Sequence, residues 1–157
     1  MYNSVTEDIT NKIILEFAKT IEMFGFSTSE ARLFVYLYLQ DQPKTLDDMS
    51  KAFGKSKTTM STSIRNLSNN GLVTLVWKKG VRKDLYEANK ALFKTFMDGY
   101  ISKWIEASSD QTNTLKQIQQ DVEKRDTKEL SKTYDDLADI IDFHQQIEIS
   151  FNKLAHN

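Results

Sequence analysis

The sequence predicts a mainly α-helical protein with one small β-hairpin, and three observations carry that prediction. Apolar residues recur every three to four positions along most of the 157 residues. Between residues 72 and 88 that period gives way to two short runs rich in β-branched and aromatic side chains. A single proline and five glycines supply too little turn material for a many-stranded β fold.

The elements follow in order. Val5, Ile9, Ile13, Ile14, Phe17, Ile21 and Phe24 lie at helical spacing, so residues 5–24 read as an amphipathic helix that Gly25 ends. A second helix starts at Thr28 or Ser29, with Glu30 giving an imperfect capping box, and runs to about Gln40. Asp41-Gln42-Pro43 is a turn, because proline lacks the amide hydrogen a helix needs and restricts the residue before it. Thr45 caps a third helix, with Asp47 and Asp48 near its positive dipole end and Leu46, Met49 and Phe53 as its buried stripe. Gly54 permits a tight turn. Ser56 caps a fourth helix over 57–69, with Met60, Ile64 and Leu67 inward, and Asn69-Asn70-Gly71 stops it. Residues 72–77 and 84–88 are the two strands of a hairpin whose tip is Lys78-Lys79-Gly80-Val81-Arg82-Lys83. Beyond Asn89 a fifth helix carries Leu92, Phe93, Phe96, Met97, Tyr100, Ile101, Trp104 and Ile105. The poor helix formers of residues 108–114 are expected to interrupt it before Leu115, Ile118 and Val122 resume the period. A last helix carries Leu130, Tyr134, Leu137, Ile140, Ile141, Ile147, Phe151 and Leu154.

Composition narrows the function classes. The chain has no cysteine, which removes disulfides, thiolate metal sites and cysteine nucleophiles, and its two histidines, His144 and His156, leave little for histidine catalysis. No P-loop, dinucleotide fingerprint or nucleophile elbow is present, and Asp135-Asp136 are adjacent on a helix and point apart. No enzyme activity, cofactor or metal is expected. The longest apolar stretch, Leu33 to Leu39, falls far short of the ~20 residues of a membrane span, and no secretory signal is visible. A cytoplasmic protein that does not enter membranes is the expectation.

The net charge of −1 conceals an asymmetry. Residues 1–43 carry three basic and six acidic side chains, residues 44–94 eleven and four, and residues 95–157 seven and twelve. A basic block between acidic flanks marks one polyanion-binding face, unless the lysines are merely clustered by chance. That block coincides with the order helix, helix, turn, helix, hairpin, which is the order of a winged helix-turn-helix. The fourth helix then becomes a recognition helix. Its outer face offers Thr58, Ser61, Thr62 and Arg65, small or donor-rich enough to enter a major groove; Ser56, Lys57 and the helix N-terminus would hold a phosphate through backbone amides, and Thr59 is a further candidate DNA contact. Lys78, Lys79, Arg82 and Lys83 at the hairpin tip would neutralise further phosphates, and edge protection against aggregation is the alternative reading of such a tip.

Residues 45–88 closely resemble the GbsR-type repressors, a branch of the MarR-like winged-helix regulators. The run Ser56-Lys57-Thr58-Thr59-Met60-Ser61 and the wing from Trp77 to Tyr86 are the most specific parts. The likeness is weaker over residues 20–104 and faint in the C-terminal helices. It implies a bacterial homodimeric repressor of genes that import choline or convert it to glycine betaine. Some relatives of this kind sense choline, and others repress osmolyte importers without responding to it; the resemblance implies both options. A quaternary ammonium can be selected only against aromatic faces. Candidate cage members are therefore Tyr38, Phe96, Tyr100 and Trp104, with Phe34 and Trp77 in reserve, although an aromatic stripe at helical spacing is also what a core looks like.

Leu130, Leu137, His144 and Phe151 stand seven residues apart, a spacing that suits helices packed on a partner copy or on each other within one chain. The expected organisation is an N-terminal helix over 1–24 contributing to a dimer, a winged helix-turn-helix over 25–89, and a helical dimerisation region over 90–157. The expected partners are double-stranded operator DNA, a second copy of the chain and a choline-like effector. A winged helix used for protein association is the competing reading, and it requires an apolar outer face on residues 57–69.

Overall fold

The structure is a computed structural model that describes residues 2–125 and 128–156. It divides into two compact units, the first ending at Phe96 and the second beginning at Met97. The first holds α1 (Tyr2–Glu22), α2 (Thr28–Tyr38), α3 (Leu46–Phe53), α4 (Lys57–Asn69), β1 (Val73–Val76) and β2 (Leu85–Ala88), together with the first turn of α5 (Leu92–Arg125). The second holds the rest of α5, a 3-10 turn over Lys128–Leu130 and α6 (Ser131–Ala155). This is the mainly α fold with a small hairpin wing that the sequence predicts.

The core of the first unit forms around α2. Ala31, Leu33, Phe34, Val35 and Leu37 are all buried, so this helix is apolar on more than one face and must be covered from several sides. α1 covers it with Ala18 and Ile21, α4 with Met60, Ile64 and Leu67, and β2 also packs on it. Phe96 closes the same core, its ring 5.1 Å from that of Phe24 and 5.4 Å from that of Phe34.

Local signals set the ends of these helices. Ser27 caps α2 in a complete capping box: the Glu30 amide donates to Ser27 Oγ at 3.1 Å and the Ser27 amide to Glu30 Oε1 at 3.0 Å. The expected start at Thr28 or Ser29 was one or two residues late, because the box runs Ser-x-x-Glu from Ser27. Thr45 and Asp48 make the same reciprocal pair at the start of α3, with bonds of 2.9 and 3.1 Å. Gly54 follows α3 in the left-handed conformation at φ 64°, where a β-carbon would be strained. Ser56 then accepts from the Thr59 amide at 3.1 Å to open α4.

β1 and β2 pair antiparallel with Val73 opposite Ala88 and Val76 opposite Leu85. Both strands are shorter than predicted, since Leu72, Trp77 and Asp84 lie outside the ladder. The other edge of β2 is also occupied. The Lys44 amide donates to the Tyr86 carbonyl at 2.9 Å and the Tyr86 amide to the Lys44 carbonyl at 2.8 Å, which pins the chain just before α3 to the hairpin.

In the second unit, α5 runs unbroken through residues 108–114, contrary to the expected interruption. Their hydroxyls are satisfied within the helix: Thr112 Oγ1 donates to the Ser108 carbonyl at 2.7 Å and Thr114 Oγ1 to the Asp110 carbonyl at 3.1 Å. Ser108 and Thr112 are buried, and Ser108 Oγ donates to the His144 carbonyl of α6 at 3.2 Å. Trp104 stacks on Phe151 at 5.4 Å, and Tyr134 donates to Glu123 at 2.9 Å. Positions on α6 rise as their partners on α5 fall, so the two helices form an antiparallel hairpin. Leu137 and Ile141 are its buried α6 residues.

Phe34 tests the packing argument. With none of its surface exposed, Phe34→Ala is expected to cost about 3–5 kcal/mol of folding stability, measured as a shift in the urea midpoint at unchanged denaturant slope.

Candidate nucleic-acid interface

α4 presents two chemically distinct sides because its sequence alternates apolar and hydroxyl residues at helical spacing. Met60, Ser63, Ile64 and Leu67 face the core. Thr58, Thr59, Thr62 and Arg65 are exposed on the other side, and Ser61 is half-buried. Thr62 Oγ1 donates to the Thr58 carbonyl at 3.0 Å, so its own lone pairs and its methyl group are what it turns outward. At the start of the helix Ser56 Oγ lies 2.9 Å from Thr59 Oγ1, which spends both hydroxyls on the cap. Asn66, also exposed, is tied by its amide to Glu30 of α2, fixing the rotation of α4 against the core.

The hairpin tip projects as a turn with a bond from the Val81 amide to the Lys78 carbonyl at 3.1 Å. Gly80 occupies its third position at φ 83°, the value a type II turn demands there. Lys78, Lys79, Arg82 and Lys83 are all exposed around it.

The residue that joins wing and helix is one that sequence reasoning treated only as a helix-dipole partner. Asp47, half-buried in the first turn of α3, receives Lys57 Nζ on Oδ1 and Lys83 Nζ on Oδ2, each at 2.6 Å. Two of the five basic groups expected to hold phosphates at the hairpin tip and at the α4 start are therefore chained to one carboxylate: Lys83 from the tip and Lys57 from the helix. The signal was present as an acid inside the most basic stretch of the chain, but nothing in the linear spacing shows that residues 47, 57 and 83 meet. The hydrogen bond from Lys57, and then that from Lys83, hold the Asp47 carboxyl down to about 2, and Asp47 in turn raises the Lys83 ammonium.

The candidate effector aromatics fall into separate groups. Phe34 and Phe96 pack on each other in the core of the first unit and show almost no surface. Tyr38, beside Phe17 and Phe34 at 6.2 Å, is partly exposed and carries an ammonium on its ring already: Lys90 Nζ lies 4.5 Å from the centroid and donates to the Tyr38 carbonyl. Tyr100 and Trp104 belong to the second unit, where both rings meet Phe151. Trp77 stands on the wing, 82% exposed. Among the described residues no cluster of three or more His, Asp or Glu side chains is placed to hold a metal ion, and no helix is long and apolar enough to cross a membrane.

The order and packing of α1–α4 and the hairpin define the class as a winged helix-turn-helix, here with an exposed hydroxyl-and-arginine helix next to a cationic hairpin. Comparison with known proteins agrees. Residues 21–91 match a family described as the sugar-specific transcriptional regulator TrmB. Over 118 residues the chain is 28% identical to the HTH-type transcriptional repressors OpcR and GbsR of Bacillus subtilis (strain 168), covering 75% of this chain and 64% and 65% of theirs. The chain thus spans a little under two thirds of the length of these curated relatives. A solved structure described as a transcriptional regulator superposes with a TM-score of 0.59 over 94% of this chain and 99% of that one, at 13% identity, a likeness of fold. The chain is thus similar to proteins described as transcriptional repressors, at 28% identity.

The Asp47 link makes a pH prediction. A carboxyl whose pKa is lowered on folding contributes stability that is complete above its unfolded value, about 4, and drains away as the pH falls toward 2. Asp47→Asn should therefore be less stable than the parent at pH 6, with the difference shrinking between pH 4 and pH 2 in chemical denaturation series.

Proposed function

We propose that this chain is a homodimeric transcriptional repressor that binds operator DNA, with α4 in the major groove and the wing on the phosphate backbone. The observation that carries the reading is the outer side of α4. Thr58, Thr59, Thr62 and Arg65 are exposed there, beside exposed cations at 78, 79 and 82, whereas a protein-association module would need an apolar face in that place. In this reading Thr62 offers its methyl to a thymine and its lone pairs to a base amino group, and Arg65 pairs with a guanine or a phosphate. Lys78, Lys79 and Arg82 bind phosphates, and Ser56, Lys57, Thr59, Ser61 and Lys83 line the same surface.

The dimer is supported by two unpartnered apolar stripes, each on its own unit. α1 exposes Val5, Ile9 and Ile13, four residues apart and so on one line. α6 exposes Ile140, Phe143 and Leu154. A symmetric pair would cover both stripes and set two recognition helices about one duplex turn, ~34 Å, apart.

The regulated genes in this proposal are those for choline uptake or glycine betaine synthesis, and the effector is choline or a related quaternary ammonium; this part rests on the GbsR resemblance. Its physical support is Tyr38, whose ring already accepts the Lys90 ammonium, the interaction such a ligand would require. A ligand relieves repression only by binding the DNA-incompetent geometry better than the competent one.

Titration of the duplex upstream of its own gene, at two salt concentrations and with and without choline, tests the reading. Lys79→Ala is expected to weaken all duplexes alike and to reduce the salt slope by about 1. Thr62→Ala should instead relax sequence preference. Choline should lower the affinity of the parent protein, and unchanged affinity would remove the effector part while leaving the DNA part standing.

For the dimer, sedimentation should give twice the 18.2 kDa chain mass, and Ile9→Lys should shift the protein toward monomer while its helical content is preserved.

A further inference from the structure

The wing holds a feature that phosphate binding does not explain. Trp77, just past the end of β1, is 82% exposed, and Leu75 within the strand is 61% exposed. With Val76, Lys78, Val81, Arg82, Lys83 and Asp84 they line a cleft of about 180 Å³ on the hairpin. Lysines at a hairpin tip bind phosphates or blunt a sheet edge against aggregation. A large exposed indole does neither, and on an edge it invites the association that the lysines discourage. Its presence there calls for an occupant that brings apolar surface and negative charge together.

We propose that Trp77 is a DNA-contacting residue: its indole packs on the apolar faces of the deoxyriboses in the backbone that Lys78, Lys79 and Arg82 grip. The proposal rests on the DNA-binding reading above and adds a contact of different chemistry to it. Charge complementarity selects the occupant. Lys78 and Lys79 follow the indole directly and Arg82 lines the cleft it bounds; Asp84 in the lining and Asp47, which holds Lys83, offset only part of that charge, so a polyanion is the partner that fits, and duplex DNA presents sugar walls within a few ångströms of every phosphate. The indole's contribution, unlike that of a lysine, releases no counterions and is therefore insensitive to salt.

The test compares Trp77→Ala, Trp77→Phe and Lys79→Ala in duplex titrations across a salt series. Because Trp77 is exposed, its truncation should leave the core untouched, and an unchanged thermal midpoint is the control that checks this. Trp77→Ala is expected to lose about tenfold in affinity for any duplex with the salt slope unchanged, an effect equal to removing a modest apolar contact. Trp77→Phe should recover most of the loss. In a Trp104→Phe background Trp77 is the sole tryptophan, and its emission should change on adding duplex. Parent-like binding by Trp77→Ala alongside weakened Lys79→Ala would overturn the proposal and leave the DNA-binding reading intact. A loss accompanied by a slope reduced by about 1 would also overturn it, since the indole would then act only by placing a lysine. So would weakened self-association at unchanged DNA affinity, which would make the occupant a second copy. If the parent binds no duplex at all, both the proposal and the reading beneath it fall.

Discussion

Burial of α2 is the constraint from which the first unit follows. A helix with Ala31, Leu33, Phe34, Val35 and Leu37 all withdrawn from water must be surrounded, and the chain supplies α1, α4 and β2 to do so. Because α4 spends Met60, Ile64 and Leu67 on that core, its Thr58, Thr62 and Arg65 are left facing outward. The wing inherits its place in the same way, since Leu72, Val73 and Ala88 are core residues while residues 77–84 extend beyond it. The exposed cations and hydroxyls are thus arranged by apolar packing behind them.

Polar contacts then refine what packing places. The Glu30–Asn66 hydrogen bond locks α4 to α2, and Asp47 joins α3 to both α4 and the wing. Single surface ion pairs contribute little. One half-buried carboxylate shared by two lysines from separate elements acts chiefly as a geometric link that couples the hairpin tip to the start of α4.

Much of this was legible in the sequence, and the reasons for the rest are physical. The limits of α4, the caps at Thr45 and Ser56 and the left-handed Gly54 are local, and local chemistry reveals them. The Lys44–Tyr86 pairing and the meeting of residues 47, 57 and 83 are long-range, and no spacing rule encodes them. The continuity of α5 shows tertiary packing overriding propensity: Ser108 and Thr112 are poor helix formers in isolation, yet their small size suits the close approach of α6, and their hydroxyls find carbonyls. The candidate aromatics suit a cage or a core by sequence alone, and the structure divides them. Phe34 and Phe96 fill a core, Tyr38 holds a lysine, and Trp77 stands in solvent.

The doubly bonded Asp47 has a consequence for how the surface meets any polyanion. It is an internal stand-in for a phosphate group, already satisfying Lys57 and Lys83 before a ligand arrives. Those two cations attract few mobile counterions of their own, so the effective valence of the surface is smaller than a tally of its lysines and arginines. The arrangement trades raw electrostatic pull for a surface whose shape is set in advance, and it favours a strand that fits that shape over one that is merely charged.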